Sequence, residues 1–279
     1  MKKIFDAFLF TSAFITLCAV CMVAQSVQLL HLAPLNSWYY LFVIGGTVAS
    51  YNLHWYLTDF RGIDENSSIR HIWTEKHHNY LLPLAFVGLL IAAVSFWFIK
   101  AHWFWILAGS ALAFLYTAPK IPGRISLLLR KIAVAKTIYL SLAWTYVTAT
   151  LPLLVSGKSF TAEALYFMLH RFFFMYTLCI LFDYRDREED ARQGIRSLIT
   201  SFDEKGIIAL FYFSVITGIL FATLFSHQTT LTFLLSMPLL IVAVLFLFIK
   251  SSKNDYLYYF VIDGLMCVSF LFTCFQQMQ

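Results

Sequence analysis

The stretch 183–198 reads Asp-Tyr-Arg-Asp-Arg-Glu-Glu-Asp-Ala-Arg-Gln-Gly-Ile-Arg-Ser-Leu. On a helix, Asp183, Asp186 and Asp190 fall within an arc of roughly 60°, while Arg187 stands to one side and Glu188 and Glu189 point elsewhere. Like charges at this spacing repel and weaken a helix, so a compensating cation is expected. Mg²⁺ is the economical candidate, since it takes a few carboxylates together with phosphate oxygens and retained waters, and a bound diphosphate would complete its coordination. The other reading is a solvated loop in which the neighbouring arginines neutralise the acids. Gly194, a few residues on, suits a turn or helix end of positive φ. Elsewhere, His71, Glu75 and His78 sit at i, i+4 and i+7, which could present a metal face or a solvated interfacial segment. Cys18 and Cys21 form a C-x-x-C pair without the second pair or nearby histidine that a zinc site needs, so they read as packing residues.

The elements that carry these residues are long and apolar. Hydrophobic residues make up 60% of the 279, charged residues 13%, and the mean hydropathy is +0.74. A soluble domain carries about a quarter charged residues, so the chain is expected to be solvated by lipid. About nine runs reach the length of roughly 20 residues that a spanning helix needs. They lie near 7–30, 37–59, 80–99, 102–119, 132–155, 161–182, 206–226, 229–249 and 256–275. The runs are continuous rather than alternating, which excludes a β-barrel. The expected fold is all-α, a polytopic bundle of about nine spans forming a single transmembrane domain over 1–279.

Polar sequence concentrates in the loops 60–79 and 183–205 and in a shorter basic loop at 119–131. With nine spans, sixteen Lys and Arg residues fall on the side of the N-terminus and two, Lys100 and Lys158, on the other. The positive-inside rule therefore puts the N-terminus and the acidic loop in the cytoplasm of a protein integral to the plasma or inner membrane. The Met1-Lys2-Lys3 start reads as the lead of an uncleaved first span, because its apolar run is too long for a signal peptide. Lys136 lies about a turn inside span five, where snorkelling to the interface accounts for it as well as a phosphate-binding role does. Arg171 and Asp263 lie well inside spans; charges at such depth face the bundle interior, and these two, at similar depth, are expected to approach each other.

Asp183, Asp186, Asp190, Gly194 and Ser197 together resemble the second aspartate-rich motif, D-x-x-D-x-x-x-D-x-x-x-G-x-x-[ST], of the UbiA superfamily of intramembrane aromatic prenyltransferases. The segment Leu115-Tyr116-Thr117-Ala118-Pro119-Lys120 is similar to that family's Tyr-x-x-Pro stretch after span four, and the layout of about nine helices with acidic loops after spans two and six is similar too. The resemblance implies that Asp183, Asp186 and Asp190 bind Mg²⁺, which holds the diphosphate of a polyprenyl donor. Loss of diphosphate then yields an allylic cation that a lipophilic acceptor, aromatic or quinone-type, captures. It further implies that Asn52, Tyr116 and Lys120 line the site, while Arg130, Lys131 and Lys136 are candidate phosphate-binding cations. The implied partners are the polyprenyl diphosphate, the acceptor and the bilayer, with no nucleic acid.

The chain departs from the family at its first motif, N-D-x-x-D-x-x-x-D. Asn52 is kept, but the acid positions hold Leu53, Tyr56 and Phe60, and Asp59 comes one residue early. That departure motivates a second reading, a non-catalytic relative that binds an isoprenoid lipid. A third, a transporter, would call for broken helices or an internal repeat.

Overall fold

The computed structural model describes residues 2–58, 68–117, 136–192, 198–249, 252 and 254–277. All regular structure among them is helical, as the long apolar runs require, with no strand. The helices are α1 (Lys2–Phe10), α2 (Ala13–Leu29), α3 (Ser37–Tyr56), α4 (Ile69–Lys76), α5 (His78–Ile99), α6 (Trp103–Thr117), α7 (Lys136–Thr145), α8 (Leu151–Ser156), α9 (Ala162–Arg192), α10 (Leu198–Ser201), α11 (Glu204–Phe225), α12 (Thr229–Ile249) and α13 (Asp263–Gln277). A 3₁₀ turn, Lys100–His102, joins α5 to α6, and π-helical turns at Tyr146–Thr150 and Leu257–Ile262 precede α8 and α13.

Six helical runs are long and apolar enough to cross a membrane, or seven if the bent pair α1–α2 is one span. Among the described residues the expected count of nine is not confirmed. The run His78–Leu115 contains both α5 and α6. Its two legs nevertheless lie in opposite directions along their neighbours. Gly45 on α3 meets Gly88 on α5, whereas α6 runs back along α7 and the π turn, with Tyr146 donating to Trp105 O at 2.9 Å and Tyr139 to Leu112 O. The helix α3 is 20 residues long but carries Thr47, Ser50, Asn52 and His54 in its second half, and so falls short in apolarity. The bundle thus has one end, here the polar end, where α3, α6 and α9 finish and α4, α5 and α7 begin.

Three local departures from α-helix shape the polar interior. At the α1–α2 junction Ser12 adopts φ 68°, a left-handed conformation that costs a non-glycine residue about 1–2 kcal/mol, and the axes bend by 56°. The bend exposes carbonyls: Thr11 O accepts from Asn52 Nδ2 at 3.0 Å, and Leu9 O from Arg70 Nη1 at 3.3 Å. In the first π turn, Val147 O accepts from Tyr39 Oη at 3.2 Å and Thr148 O from Ser26 Oγ at 2.5 Å. Wide turns of this kind free backbone acceptors inside a helix, and here hydroxyls of α2 and α3 take them up. The second π turn holds Tyr258 and Tyr259, which matter below.

The core is a large cluster drawn mainly from α1, α2, α3, α7, α9, α11, α12 and α13, with a smaller second cluster around Leu29, Leu153, Phe167 and Leu235. At its centre α9 runs for 31 residues, about 46 Å at 1.5 Å per residue. That exceeds the roughly 30 Å hydrocarbon core, so the C-terminal turns of α9 project at the polar end and carry the acidic motif there.

Candidate functional site

Helix α9 delivers Asp183 and Asp186 to the polar end on one face, as their spacing requires. The neighbouring α7 lies antiparallel to α9, so its first turn meets that face. Lys136 Nζ lies 3.3 Å from Asp183 Oδ1, and Thr137 Oγ1 donates to Asp183 Oδ2 at 2.5 Å. Asp183 is buried, whereas the Lys136 side chain is 30% exposed. Three residues on, Asp186 is held by its own neighbour: Arg185 Nε donates to Oδ1 at 2.7 Å and Nη2 to Oδ2 at 3.2 Å. The alternative in which arginines neutralise the acids is thus realised at this pair.

Arg185 also reaches inward. Its Nη1 lies 3.4 Å from Asp255 Oδ1, its Nη2 donates to Tyr259 Oη at 3.1 Å, and its guanidinium sits over the rings of Tyr258 and Tyr259 at 4.6 and 5.0 Å. Asp255, only 1% exposed, accepts the Arg70 backbone N–H at 2.8 Å and so holds the start of α4. The Arg70 guanidinium packs over Trp55, Tyr259 and Phe10 at 4.3, 5.0 and 5.1 Å. The Tyr259 ring therefore has two guanidiniums within 5.0 Å of its centroid, each a cation–π partner. Arg70 is buried, and its Nε has no hydrogen-bond partner among the described residues. Burial pushes its pKa down to about 10, with Tyr259 and Asp255 opposing the shift, so the group stays cationic at neutral pH.

The other expected site residues separate into three groups. Asn52 is fully buried and comes to this end, but its Nδ2 donates to Thr11 O and Val48 O. It braces the α1–α2 bend, and its Oδ1 has no partner among the described residues. Tyr116 and Asp190 fall on α6 and α9, but their side chains lie outside what is described. Lys120, Arg130, Lys131, Gly194 and Ser197 lie outside the described residues altogether. At the acid positions of the first motif, Tyr56 stacks on His78 at 4.4 Å, and Phe60, like Asp59, lies outside the described residues.

The fit to Mg²⁺ can be tested on the donors present. Each oxygen of Asp183 and Asp186 already faces a cation or hydroxyl of this chain, and the described part of α3 brings no carboxylate opposite them. Among the described residues no group of three or more His, Cys, Asp or Glu side chains is arranged to hold a metal ion. The third acid of the motif, Asp190, has its side chain outside the described residues, as do Asp59, Asp64 and Glu65, and among the described residues His71, Glu75 and His78 do not form the metal face that their spacing allowed. Cys18 and Cys267 sulfurs lie 3.5 Å apart across the α2–α13 seam, and all five cysteines are free thiols.

The expected approach of Arg171 to Asp263 is corrected. Arg171 donates to Met22 O at 3.1 Å, Thr148 Oγ1 at 3.2 Å and Gln25 Oε1 at 2.8 Å. Asp263 lies nearer the polar end, level with Cys18, whose thiol donates to its backbone oxygen at 3.4 Å. Four to seven residues along α2 separate the two levels, about 6–10 Å. Similar depth within two spans did not fix their relative register. Sequence reasoning missed Thr137, Asp255 and Tyr259. Thr137 and Tyr259 carry no distinguishing local signal, and the signal that could have found Asp255 is only that it is an acid in the polar link before the last apolar run. No protein-family model, curated protein or solved structure matches this chain.

Proposed function

We propose that this protein is an intramembrane prenyltransferase of the UbiA type, moving a polyprenyl group from its diphosphate to a lipophilic acceptor, aromatic or quinone-type. The observation that carries the reading is the convergence of Asp183, Asp186, Lys136, Arg185 and Arg70 at one end of an apolar helical bundle. An amphiphile with a highly charged head and a long apolar tail matches that division: the diphosphate lies at the polar end and the prenyl chain along the helices. In the transfer, the allylic C–O bond breaks with its electron pair going to the diphosphate. The acceptor carbon or oxygen supplies the pair for the new bond and then loses a proton to water. Fixed cations stabilise the charge that develops on the leaving group, and the apolar interior keeps water from the carbocation. Tyr116, Lys120, Arg130 and Lys131 are the remaining candidates to bind the substrate, and the polar end is assigned to the cytoplasmic face of a plasma or inner membrane.

The test is turnover. Protein reconstituted in lipid is given labelled polyprenyl diphosphates of several lengths, with quinone, haem or carotenoid precursors as acceptors and Mg²⁺ present. Asp186→Asn is expected to abolish transfer while the variant melts close to the wild type; an undiminished rate would overturn the assignment. A second reading, an isoprenoid-diphosphate binder without turnover, is favoured by one observation: both described acids of the motif are already neutralised within the chain. Saturable binding with no product for any acceptor would select it.

A further inference from the structure

The C-x-x-C pair of the sequence gains a third thiol in the fold. Cys18 and Cys21 stand one turn apart on one face of α2, and Cys267 of α13 comes to that face. Its sulfur lies 3.5 Å from the Cys18 sulfur, and its thiol interacts with Cys21 as well. Cys18 is buried, Cys21 and Cys267 are half-buried, and all three are free thiols. The register of this seam is held one turn further along, where Gln25 Nε2 of α2 donates to Ser269 O at 2.9 Å and to Ser269 Oγ at 3.0 Å. On the other side the Cys18 thiol donates to Asp263 O at 3.4 Å, directly after the π turn that carries Tyr259.

Bonded sulfurs lie about 2.05 Å apart, so an approach of about 1.5 Å, within reach of side-chain rotation, closes the bond between Cys18 and Cys267. The thiol couples that keep cytosolic cysteines reduced are water-soluble and do not enter an apolar helical interior; a lipid-soluble oxidant does. A groove of about 790 Å³, lined by Ala24, Gln28, Tyr40, Phe270 and Cys274 among others, opens one turn further along α2 and α13. That is room enough for a quinone ring. We infer that Cys18 and Cys267 are a dithiol–disulfide pair that a lipid-soluble quinone oxidises, tying α2 to α13. Both S–H bonds are lost and one S–S bond forms, and the two electrons and two protons released convert the quinone to its hydroquinone. The bond fixes α13 just behind Tyr259, on which Arg70 and Arg185 pack. The inference stands independently of the transferase reading above.

The test treats the reduced full-length protein, in phosphatidylcholine vesicles, with decylubiquinone, a fully substituted benzoquinone that cannot take up a thiol by ring addition. Thiols are counted after denaturation by the mass added on maleimide labelling. The five free thiols of the reduced chain are expected to fall by two, with hydroquinone appearing in amount equal to the protein. Peptide mapping is expected to join Cys18 to Cys267, and dithiothreitol to restore the full count. Cys267→Ser is expected to lose no thiol under the same treatment, whereas Cys274→Ser, which changes a cysteine outside the pair, still loses two. An unchanged thiol count in the wild type, a link that leaves Cys18 or Cys267 free, or equal loss in Cys267→Ser overturns the inference. Should Cys267→Ser not fold, the wild-type count and peptide map decide by themselves.

Discussion

Two adjacent glycines on α3 offer a sharp test of how the polar end is held. A Cβ added at Gly45 would stand 2.6 Å from both Ala92 N and Gly88 O of α5, whereas one added at Gly46 meets nothing within 4 Å. Ordinary contact begins near 3.4 Å, so Gly45→Ala must part the helices by roughly 0.8 Å against backbone atoms, which cannot rotate aside. Overpacking of this kind costs about 1–3 kcal/mol. At Gly46 the same substitution meets no such obstacle and carries the helix-propensity gain of about 1 kcal/mol. The propensity gain is common to both positions, so the two variants should differ by the overpacking cost alone, about 1–3 kcal/mol, although they add the same methyl group one residue apart. The assay is reversible unfolding in mixed micelles, with Gly88→Ala, whose Cβ would lie 2.6 Å from Ala49 N, as the reciprocal change. Equal stability of Gly45→Ala and Gly46→Ala would refute the close α3–α5 approach. The orientation of Asn52 and Trp55 beside Arg70 would then lose its support.

The buried network around Arg171 should be coupled within itself and not to Asp263. Arg171→Met with Gln25→Ala is expected to deviate from additivity by about 0.5–3 kcal/mol, while Arg171→Met with Asp263→Ala adds, both measured by the same unfolding assay. Asp255→Asn, at a position 1% exposed, leaves Arg185 short of a buried partner and should cost about 3–5 kcal/mol. Asp186→Asn, with a side chain 42% exposed, should cost about 1 kcal/mol or less; a reversed order of melting temperatures would contradict the assigned network. Thr137→Val removes the hydroxyl from Asp183 Oδ2 and should cost about 1–3 kcal/mol, with Thr137→Ser close to wild type.

What the sequence disclosed about the fold was its class: runs of apolar residues too long for a soluble core could only be helices. The count of spans was less legible. Whether Lys100–His102 joins two legs or bends one depends on tertiary partners such as Tyr146 and Trp105, and Ser12 gives no local sign of the left-handed break that divides α1 from α2. At the site, the i, i+3 placement of Asp183 and Asp186 was readable from spacing. What faces them was not, because the contact with Lys136 depends on α7 lying antiparallel to α9 in one register. Asn52 shows the same limit. Its position in a familiar pattern suggested a role toward ligand, but the carbonyl it holds, Thr11 O, becomes available only through the bend. Asp255 and Arg70 are 185 residues apart, and no local pattern joins a polar link to a loop helix at that separation.

The wide turn at Tyr146–Thr150 works as a phase shifter. A π turn holds one residue more than α-helical pitch, so straightening it to α-helix with every residue kept would rotate one flanking stretch against the other by about 100°. Lys136 and Thr137 could then not face Asp183 while Leu151 and Leu153 still faced the core. One inserted residue in mid-helix thus sets the azimuth of the charged end relative to the apolar middle.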